Sequence, residues 1–317
     1  MKYALCFPGQ GAQQVGMGRE LHDAFASSRE VFQEADDALS AHLTRLIFEG
    51  PEEELTLTAN AQPAIMTVSV AALRALEKEM GMSKTLTPAY GSGHSLGEYT
   101  ALVAAETLSF REAVALVNKR GRWMQEAAPE GLGAMAAILG LKADEVRAVC
   151  AEAAPNGECQ AANFNSPGQV VLSGVAEFVD KASELAKARG ARKAVRLNVS
   201  APFHSRLMAP AAEKLKAEFV RCSWSDPRYP IVANASAAPV ASADAIRAAL
   251  YEQTFSPVLW EDSVVYMADE GVDTFLELGP GEVLSGLIKR CRKGLKQIAA
   301  GAPETLEAMA KFLGEAV

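Results

Sequence analysis

The segment Gly93-His94-Ser95-Leu96-Gly97 matches the pattern G-x-S-x-G and indicates a nucleophilic serine. This pattern builds a nucleophile elbow, in which a strand turns sharply into a helix and exposes the central serine. Glycines are needed on both sides because the strand and helix backbones approach closely around a strained residue. The alternative is a glycine-rich turn with an incidental serine. The apolar segment before the motif and the amphipathic one after it favour catalysis.

A serine nucleophile needs a base, and the chain has 4 histidines from which to supply it. His22 and His42 lie among charged residues and are expected on the surface. His94 directly precedes Ser95, and adjacent side chains at an elbow diverge. His204 remains, in a loop, where catalytic side chains concentrate. A merely hydrogen-bonded loop histidine is the alternative, but with Ser95 as the nucleophile His204 is the better candidate for the base.

A third group should orient the histidine. The acidic residues after the elbow have no distinguishing context; they include Asp226, Asp244, Glu261, Asp262 and Asp273. A carboxylate and a backbone carbonyl therefore both remain open as the orienting group.

Arg120 is a candidate for binding an anion. In a helix over this segment, the apolar residues from Ala113 to Met124 share one face, and Arg120 falls on its edge. One interpretation is a side chain whose stem packs on the core while its charged head reaches water. The other is a guanidinium aimed into a pocket, where it can bind a carboxylate through two parallel hydrogen bonds. Periodicity alone favours neither.

Short apolar runs alternate with long amphipathic segments, which predicts an α/β fold that would position these side chains. The predicted strands of the main sheet are 3–7, 88–93, 229–234 and 273–278. The predicted helices are 61–80, 96–105, 110–127, 206–220, 242–253, 263–270 and 283–293.

The middle of the chain follows a different order, β-α-β-β-α-β, which is the ferredoxin-like split unit. Its predicted elements are 134–139, 143–153, 158–163, 169–173, 175–189 and 191–197. We therefore expect an inserted subdomain at 128–198, with a larger α/β core formed by 1–127 and 199–317.

Composition limits the class of function. The chain has 317 residues, 49% hydrophobic and 22% charged, which is ordinary for a globular protein with a sizeable core. A net charge of -8 argues against general binding to nucleic acid or an anionic membrane, since both favour basic surfaces. The longest apolar run, 131–141, is too short to span a bilayer.

The cysteines suggest a reducing compartment. There are 5 of them, scattered and without CxxC spacing, so neither a disulfide framework nor a zinc site is expected. The N-terminal segment MKYALCFPGQG lacks the features of a secretory peptide, and we expect a cytoplasmic protein.

Several motifs, in order and spread over nearly the whole chain, resemble the malonyl-CoA:acyl-carrier-protein transacylases, the acyltransferase family of fatty-acid and polyketide synthesis. The matching segments are FPGQGAQ (7–13), QPAI (62–65), GHSLGEYTAL (93–102), KRGRWMQEA (119–127), NFNSPGQVVLSG (163–174), APFHS (201–205), QTFSPVLW (253–260) and ELGPGEVLSGLIKR (277–290). The resemblance implies an α/β-hydrolase-like core with a ferredoxin-like insertion. It also implies malonyl-CoA as substrate, acyl carrier protein as partner, coenzyme A only as a substrate carrier, and no metal.

The resemblance also assigns roles. It makes Ser95 the nucleophile and His204 the base, and places Arg120 against the malonyl carboxylate. The backbone N–H groups of Gln10 and Leu96 become oxyanion donors. The remaining assignments are Gln253, whose backbone carbonyl orients the histidine; Asn163, which supports the base; Gln62 and Met124, which line the pocket; and Phe203, whose bulk favours malonyl over branched acyl groups.

The glycine-rich loop FPGQGAQQVGMG (7–18) could instead suggest a nucleotide-binding module. The dinucleotide pattern G-x-G-x-x-G fails, since Gln14 occupies the third glycine position, and no Gly-Lys-Ser/Thr of a P-loop follows. We interpret the loop as a source of backbone donors for an oxyanion, with Gly9 and Gly11 bringing the Gln10 amide close to the elbow.

The sequence does not exclude other enzymes with similar chemistry. These are an acyltransferase serving a polyketide synthase or a malonate decarboxylase, which would use another carrier, and a serine esterase or thioesterase. An esterase needs the same elbow but has no reason for Arg120.

Overall fold

The computed structural model describes residues 1–84, 86–129, 131–199 and 201–315. The strands are β1 (Tyr3–Phe7), β2 (Tyr90–Gly93), β3 (Gly133–Leu139), β4 (Cys159–Ser166), β5 (Gln169–Val175), β6 (Lys193–Arg196), β7 (Ile231–Ala233), β8 (Ala238–Val240), β9 (Thr274–Leu278) and β10 (Lys296–Ala300). The helices are α1 (Arg19–Ala24), α2 (Ala26–Leu39), α3 (Leu43–Glu49), α4 (Glu52–Thr56), α5 (Thr58–Arg74), α6 (Leu96–Ala104), α7 (Phe110–Glu126), α8 (Ala143–Ala153), α9 (Ala176–Ala188), α10 (Ala209–Phe219), α11 (Ala243–Phe255), α12 (Trp260–Asp269), α13 (Val283–Cys291) and α14 (Pro303–Glu315). A π-helical turn at Ala75–Glu79 extends α5, and 3-10 turns occupy Met82–Lys84 and Arg206–Met208.

The larger sheet has the strand order β10-β9-β1-β2-β7-β8, and only β8 runs antiparallel to its neighbour. Its central strand β1 is buried on both faces, as expected where helices cover both sides of a parallel sheet. Tyr3, Leu5 and Phe7 contribute to the core that contains residues of α5, α6 and α7. Ala4 and Cys6 face the other way, into a core with residues of α12 and α13.

The smaller sheet is antiparallel, has the order β4-β5-β3-β6, and is built from one continuous stretch of chain. Helices α8 and α9 contribute to its separate hydrophobic core. This sheet with α8 and α9 forms the smaller lobe, and the larger sheet with its helices forms the larger lobe. Backbone hydrogen bonds join the two lobes: Phe164 N donates to Val258 O at 2.9 Å, and Val258 N donates to Ala162 O at 2.8 Å. The two lobes are thus joined through their backbones at β4.

The predicted α/β class is confirmed, with a mostly parallel sheet and a separate antiparallel one. The strand predicted at 3–7 has those bounds, whereas the one predicted from Pro88 begins at Tyr90. The edge strands β8 and β10 were not predicted. Their residues are mostly half-buried or exposed and lack the apolar alternation that marks a strand in sequence.

Two general features concern the described part of the chain. None of its helices combines the length and the apolar character that crossing a membrane requires. Its histidine, cysteine and acidic side chains form no group of three suited to a metal ion.

Candidate active site

Ser95 lies in the tight turn between β2 and α6, with backbone angles of φ 52° and ψ -99°. The glycines of the motif are required by contact distances. A Cβ on Gly93 would lie 2.1 Å from the carbonyl of Gly97, and one on Gly97 would lie 2.0 Å from Phe7 O. A side chain at Gly93 would force the strand and helix of the elbow apart, and one at Gly97 would push the elbow away from β1. The sequence prediction of an elbow is therefore matched by a strained serine held between close backbones.

The side chain of Asn234 fastens the elbow from the end of β7. Its Oδ1 accepts a hydrogen bond from Ser95 N at 2.7 Å, and its Nδ2 donates to Gly93 O at 2.8 Å. Asn234 is fully buried, so these backbone groups have no water to replace it. An uncommon backbone conformation persists only where the surroundings fix it, and Asn234 supplies that constraint.

His204 lies against Ser95, with Nε2 2.7 Å from Ser95 Oγ and Nδ1 2.8 Å from the backbone oxygen of Gln253. The carbonyl of Gln253 is free to accept because α11 ends at Phe255 and the residue four positions on is Pro257, which has no N–H. His204 itself has a positive φ of 56°. The third member of this relay is a backbone carbonyl rather than a carboxylate.

Burial, followed by the positive charge of Arg120, lowers the pKa of His204 to about 3. The imidazole is therefore neutral at physiological pH and can accept a proton. Of the other histidines, His94 also lines the cavity beside Ser95, but its ring faces a different partner, and the remaining two lie away from it. His94 Nε2 is 2.8 Å from Asn165 Oδ1, His22 contacts Asp23 in a half-buried position, and His42 is exposed.

Arg120 is buried, with 1% of its surface exposed, so its charged head does not reach water. Nη1 donates to Gln62 Oε1 at 2.8 Å, while Nη2 donates to Ser95 Oγ at 3.0 Å and to Gln253 Oε1 at 2.9 Å. Its Nε donates no hydrogen bond within the described residues, while its Cζ lies 5.2 Å from the centroid of the Tyr99 ring. A buried guanidinium beside a serine, with no carboxylate among these partners, is suited to an anionic ligand.

Gly121 explains how α7 brings Arg120 to this position. A Cβ at Gly121 would lie 2.4 Å from Thr58 O, so α7 packs directly on the start of α5, where Gln62 lies. Ser109 caps the start of α7: its Oγ accepts a hydrogen bond from Glu112 N.

A cavity of about 370 Å³ opens onto Ser95 between the two lobes. Its wall includes the predicted pocket residues Gln62, Met124 and Phe203, and also Asn163. The smaller lobe adds Met135 and Val171, so one side of the cavity is apolar. Asn163 lines the cavity, but its side chain donates no hydrogen bond to His204.

The two predicted backbone donors belong to segments that border the elbow or the cavity. Leu96 is the first residue of α6, and Gln10 follows β1 in a loop that lines the cavity. Within the described residues, the backbone N–H groups of Leu96 and Gln10 donate to no acceptor. A Cβ on Gly9 would lie 2.3 Å from His94 O, so the loop packs directly against the elbow. This arrangement can stabilise a developing oxyanion.

The acyl transferase domain model matches residues 5–310 of the chain. The chain belongs to the acyl transferase family. It is 50% identical over 315 residues to the malonyl CoA-acyl carrier protein transacylase of Bacillus subtilis (strain 168), a match covering 99% of this chain and 98% of that protein. The resemblance drawn from the motifs is confirmed.

Solved structures agree with this membership. The acyl-carrier-protein-S-malonyltransferase from Bartonella henselae superposes with a TM-score of 0.96 at 44% identity, covering 99% of this chain and 100% of that one. A malonyl-transacylase in complex with a type II PKS acyl-carrier protein gives a TM-score of 0.95 at 41% identity, covering 98% and 100%.

Two buried polar residues of this acyl transferase were missed by the sequence reasoning as parts of the site. Glu98 has no distinguishing context in the sequence, and Asn234 is only the last residue of the strand predicted at 229–234. Burial raises the pKa of Glu98 to about 7, against the hydrogen bonds from Asn234 and Gln253 and the charge of Arg120, which lower it. For Gln253, the signal that could have been used is Pro257, which frees its carbonyl.

Proposed function

We propose that this acyl transferase moves a malonyl group from malonyl-CoA to the phosphopantetheine thiol of an acyl carrier protein, through an ester on Ser95. The observation that carries the proposal is the 3.0 Å hydrogen bond between Arg120 Nη2 and Ser95 Oγ inside a buried cavity. A malonyl group has one methylene between its thioester carbonyl and its carboxylate. A cation this close to the nucleophile is suited to that short separation.

In the first half-reaction, His204 Nε2 takes the proton of Ser95 Oγ as the oxygen bonds to the thioester carbonyl carbon. The N–H groups of Gln10 and Leu96 donate to the oxyanion, an interaction whose loss typically costs about 3–4 kcal/mol. The tetrahedral intermediate then collapses, the carbon–sulfur bond breaks, and the imidazolium returns its proton to the leaving thiolate of coenzyme A.

In the second half-reaction, the phosphopantetheine thiol gives its proton to His204 and attacks the malonyl ester. The carbon–oxygen bond to Ser95 breaks, and Ser95 Oγ recovers the proton. The kinetics should therefore be ping-pong. Arg120 holds the acyl group in one pose, which favours attack by the positioned thiol over attack by water.

Substrate binding should also strengthen the base. The positive charge of Arg120 is the second cause of the lowered pKa of His204. A malonyl carboxylate paired with Arg120 offsets that charge and raises the pKa of the imidazole. The correct substrate thus prepares the group that activates the serine.

We extend the proposal to the details of the fold. The larger lobe is α/β-hydrolase-like, and residues 128–198 form a ferredoxin-like subdomain inserted between 1–127 and 199–317. The order β4-β5-β3-β6, with two helices on the sheet, supports the second part. We propose that the reaction needs no resident cofactor or metal and takes place in the cytoplasm.

The test is acyl transfer from a panel of acyl-CoAs to a fatty-acid carrier protein and a polyketide carrier protein, with release to water measured in parallel. We expect malonyl transfer to a carrier to exceed both acetyl transfer and hydrolysis. Mass spectrometry after mixing with malonyl-CoA should place the adduct on Ser95 and find none in Ser95→Ala. Rapid hydrolysis would instead favour a thioesterase, and an adduct on another residue would refute the assignment of the nucleophile.

A further inference from the structure

The side chain of Gln253 joins three parts of the site that the mechanism treats separately. Its Oε1 accepts from Arg120 Nη2 at 2.9 Å, and its Nε2 donates to Ser95 O at 2.8 Å and to Glu98 Oε2 at 3.0 Å. Its backbone oxygen receives the N–H of His204. One fully buried residue thus contacts the nucleophile, the base and the cation.

The orientation of this amide is dictated by its neighbours. A backbone carbonyl and a carboxylate only accept hydrogen bonds, so the NH2 group of Gln253 has to face Ser95 O and Glu98. The oxygen is then directed at Arg120, whose guanidinium only donates. In the flipped amide, NH2 would meet the guanidinium and the oxygen would meet the carboxylate. Glu98, together with Ser95 O, therefore fixes which end of the Gln253 amide faces Arg120.

Glu98 is itself held rigidly, with 2% of its surface exposed. Its Oε2 also accepts from Asn234 N at 2.9 Å, next to the side chain that fastens the elbow. Two buried charges, Glu98 and Arg120, are thus linked through an amide. Such a chain of hydrogen bonds polarises along its length and fixes each member more firmly than an isolated bond would.

We propose that Glu98 is a positioning residue for acyl transfer, acting through the Gln253 amide to hold the guanidinium of Arg120 in the pose that receives the acyl carboxylate. This inference rests on the proposed function, because it concerns the carboxylate that Arg120 binds. It assigns substrate selection to a residue that need not touch the substrate.

The experiment compares kcat and KM for malonyl-CoA and acetyl-CoA in Glu98→Ala and Glu98→Gln at pH 8. The ratio of the two kcat/KM values should fall about 10- to 100-fold in Glu98→Ala, the range for losing one hydrogen bond to a charged group. Glu98→Gln keeps an acceptor oxygen but adds an NH2 donor, so it constrains the orientation of the Gln253 amide less strongly than the carboxylate does. It should lose selectivity to a smaller degree, and it serves as the test if the alanine variant does not fold.

Glu277→Gln is the matched control. Glu277 is a buried carboxylate that accepts from Leu284 N and Ser285 N at the start of α13, outside the cavity. Its neutralisation should lower stability and leave selectivity between the two acyl-CoAs unchanged. A purely structural role for Glu98 predicts the same behaviour, so selectivity separates positioning from stability.

A double variant tests the route through Gln253. In the Gln253→Ala background, Glu98→Gln should change selectivity no further. The inference is overturned if the Glu98 variants lose stability but keep the selectivity of the wild type, or if the two changes add. A wild-type protein that transfers no malonyl group would overturn the proposed function together with this inference.

Discussion

Replacing Asn234 by alanine should destabilise the fold because two backbone groups lose their hydrogen-bond partners. The change leaves Ser95 N–H and Gly93 C=O without their partners, at a position shielded from water. Leaving a buried polar group unpaired costs about 1–3 kcal/mol, so the free energy of unfolding should fall by about 2–6 kcal/mol. The free energy of unfolding of a folded protein is typically about 5–15 kcal/mol, so this loss would be a large fraction of it.

The assay is urea unfolding followed by circular dichroism, with Asn60→Ala as the control. Asn60 also donates a side-chain hydrogen bond to a backbone oxygen, that of Glu54, but in an exposed place where water can substitute. The control should lose less than about 1 kcal/mol. Asn234→Asp keeps an acceptor for Ser95 N–H but offers none of the amide's donors to Gly93 O, so it should also be less stable than the wild type.

Activity should fall together with stability, and mainly in kcat. A displacement of about 1 Å at a reacting group can cost ~100-fold in rate, and Asn234 is what holds the strained Ser95 in place. If Asn234→Ala unfolds at the same urea concentration as Asn60→Ala, the reasoning that the amide fastens the elbow is refuted.

Three further predictions concern other parts of the site. Arg120→Ala should lower kcat/KM for malonyl-CoA by ~100-fold or more, because an unpaired buried charge costs about 3–5 kcal/mol, and should lower acetyl transfer far less; equal losses for the two acyl-CoAs would contradict the carboxylate role. Gly97→Ala should abolish labelling of Ser95 by malonyl-CoA, because its Cβ would lie 2.0 Å from Phe7 O, whereas Gly314→Ala, with nothing within 4 Å, should label normally. Since burial raises the pKa of Glu98 from its ordinary 4.5 to about 7, the folded state holds this proton more tightly than the unfolded state, and the free energy of unfolding should fall by about 3 kcal/mol as the pH rises through that range. Glu98→Gln should lack this decrease when the two proteins are unfolded in parallel at each pH. If the free energy of unfolding has the same pH dependence in both proteins, Glu98 does not have the raised pKa.

Local patterns in the sequence predicted the elbow well. The spacing of Gly93, Ser95 and Gly97 encodes a close approach of neighbouring backbones, which is a short-range requirement. The central strand β1 and helix α7 were equally predictable. A strand buried on both faces is a short continuous apolar run, whereas a helix buried on one face has apolar residues at helical spacing. Periodicity also placed Arg120 at the edge of the buried face, but it could not tell whether the charged head ends in water or in a cavity.

Contacts between distant segments could not be predicted in this way. Glu98 receives hydrogen bonds from Asn234 and Gln253, which lie more than a hundred residues further along the chain. No local pattern distinguishes a buried glutamate in the first turn of a helix from an exposed one. The position of Gln253 depends on where α11 ends, and only the free carbonyl before Pro257 has a local signature.

The order of the elements along the chain has a consequence for biosynthesis. Ser95 precedes the smaller lobe in sequence and His204 follows it directly, so a chain arrested within the smaller lobe lacks the base and cannot form the 2.7 Å contact between them. A chain arrested before β7 would also lack Asn234 and Gln253. A malonyl ester on Ser95 should therefore appear during synthesis only after these residues have been made, and shorter chains should not capture acyl groups.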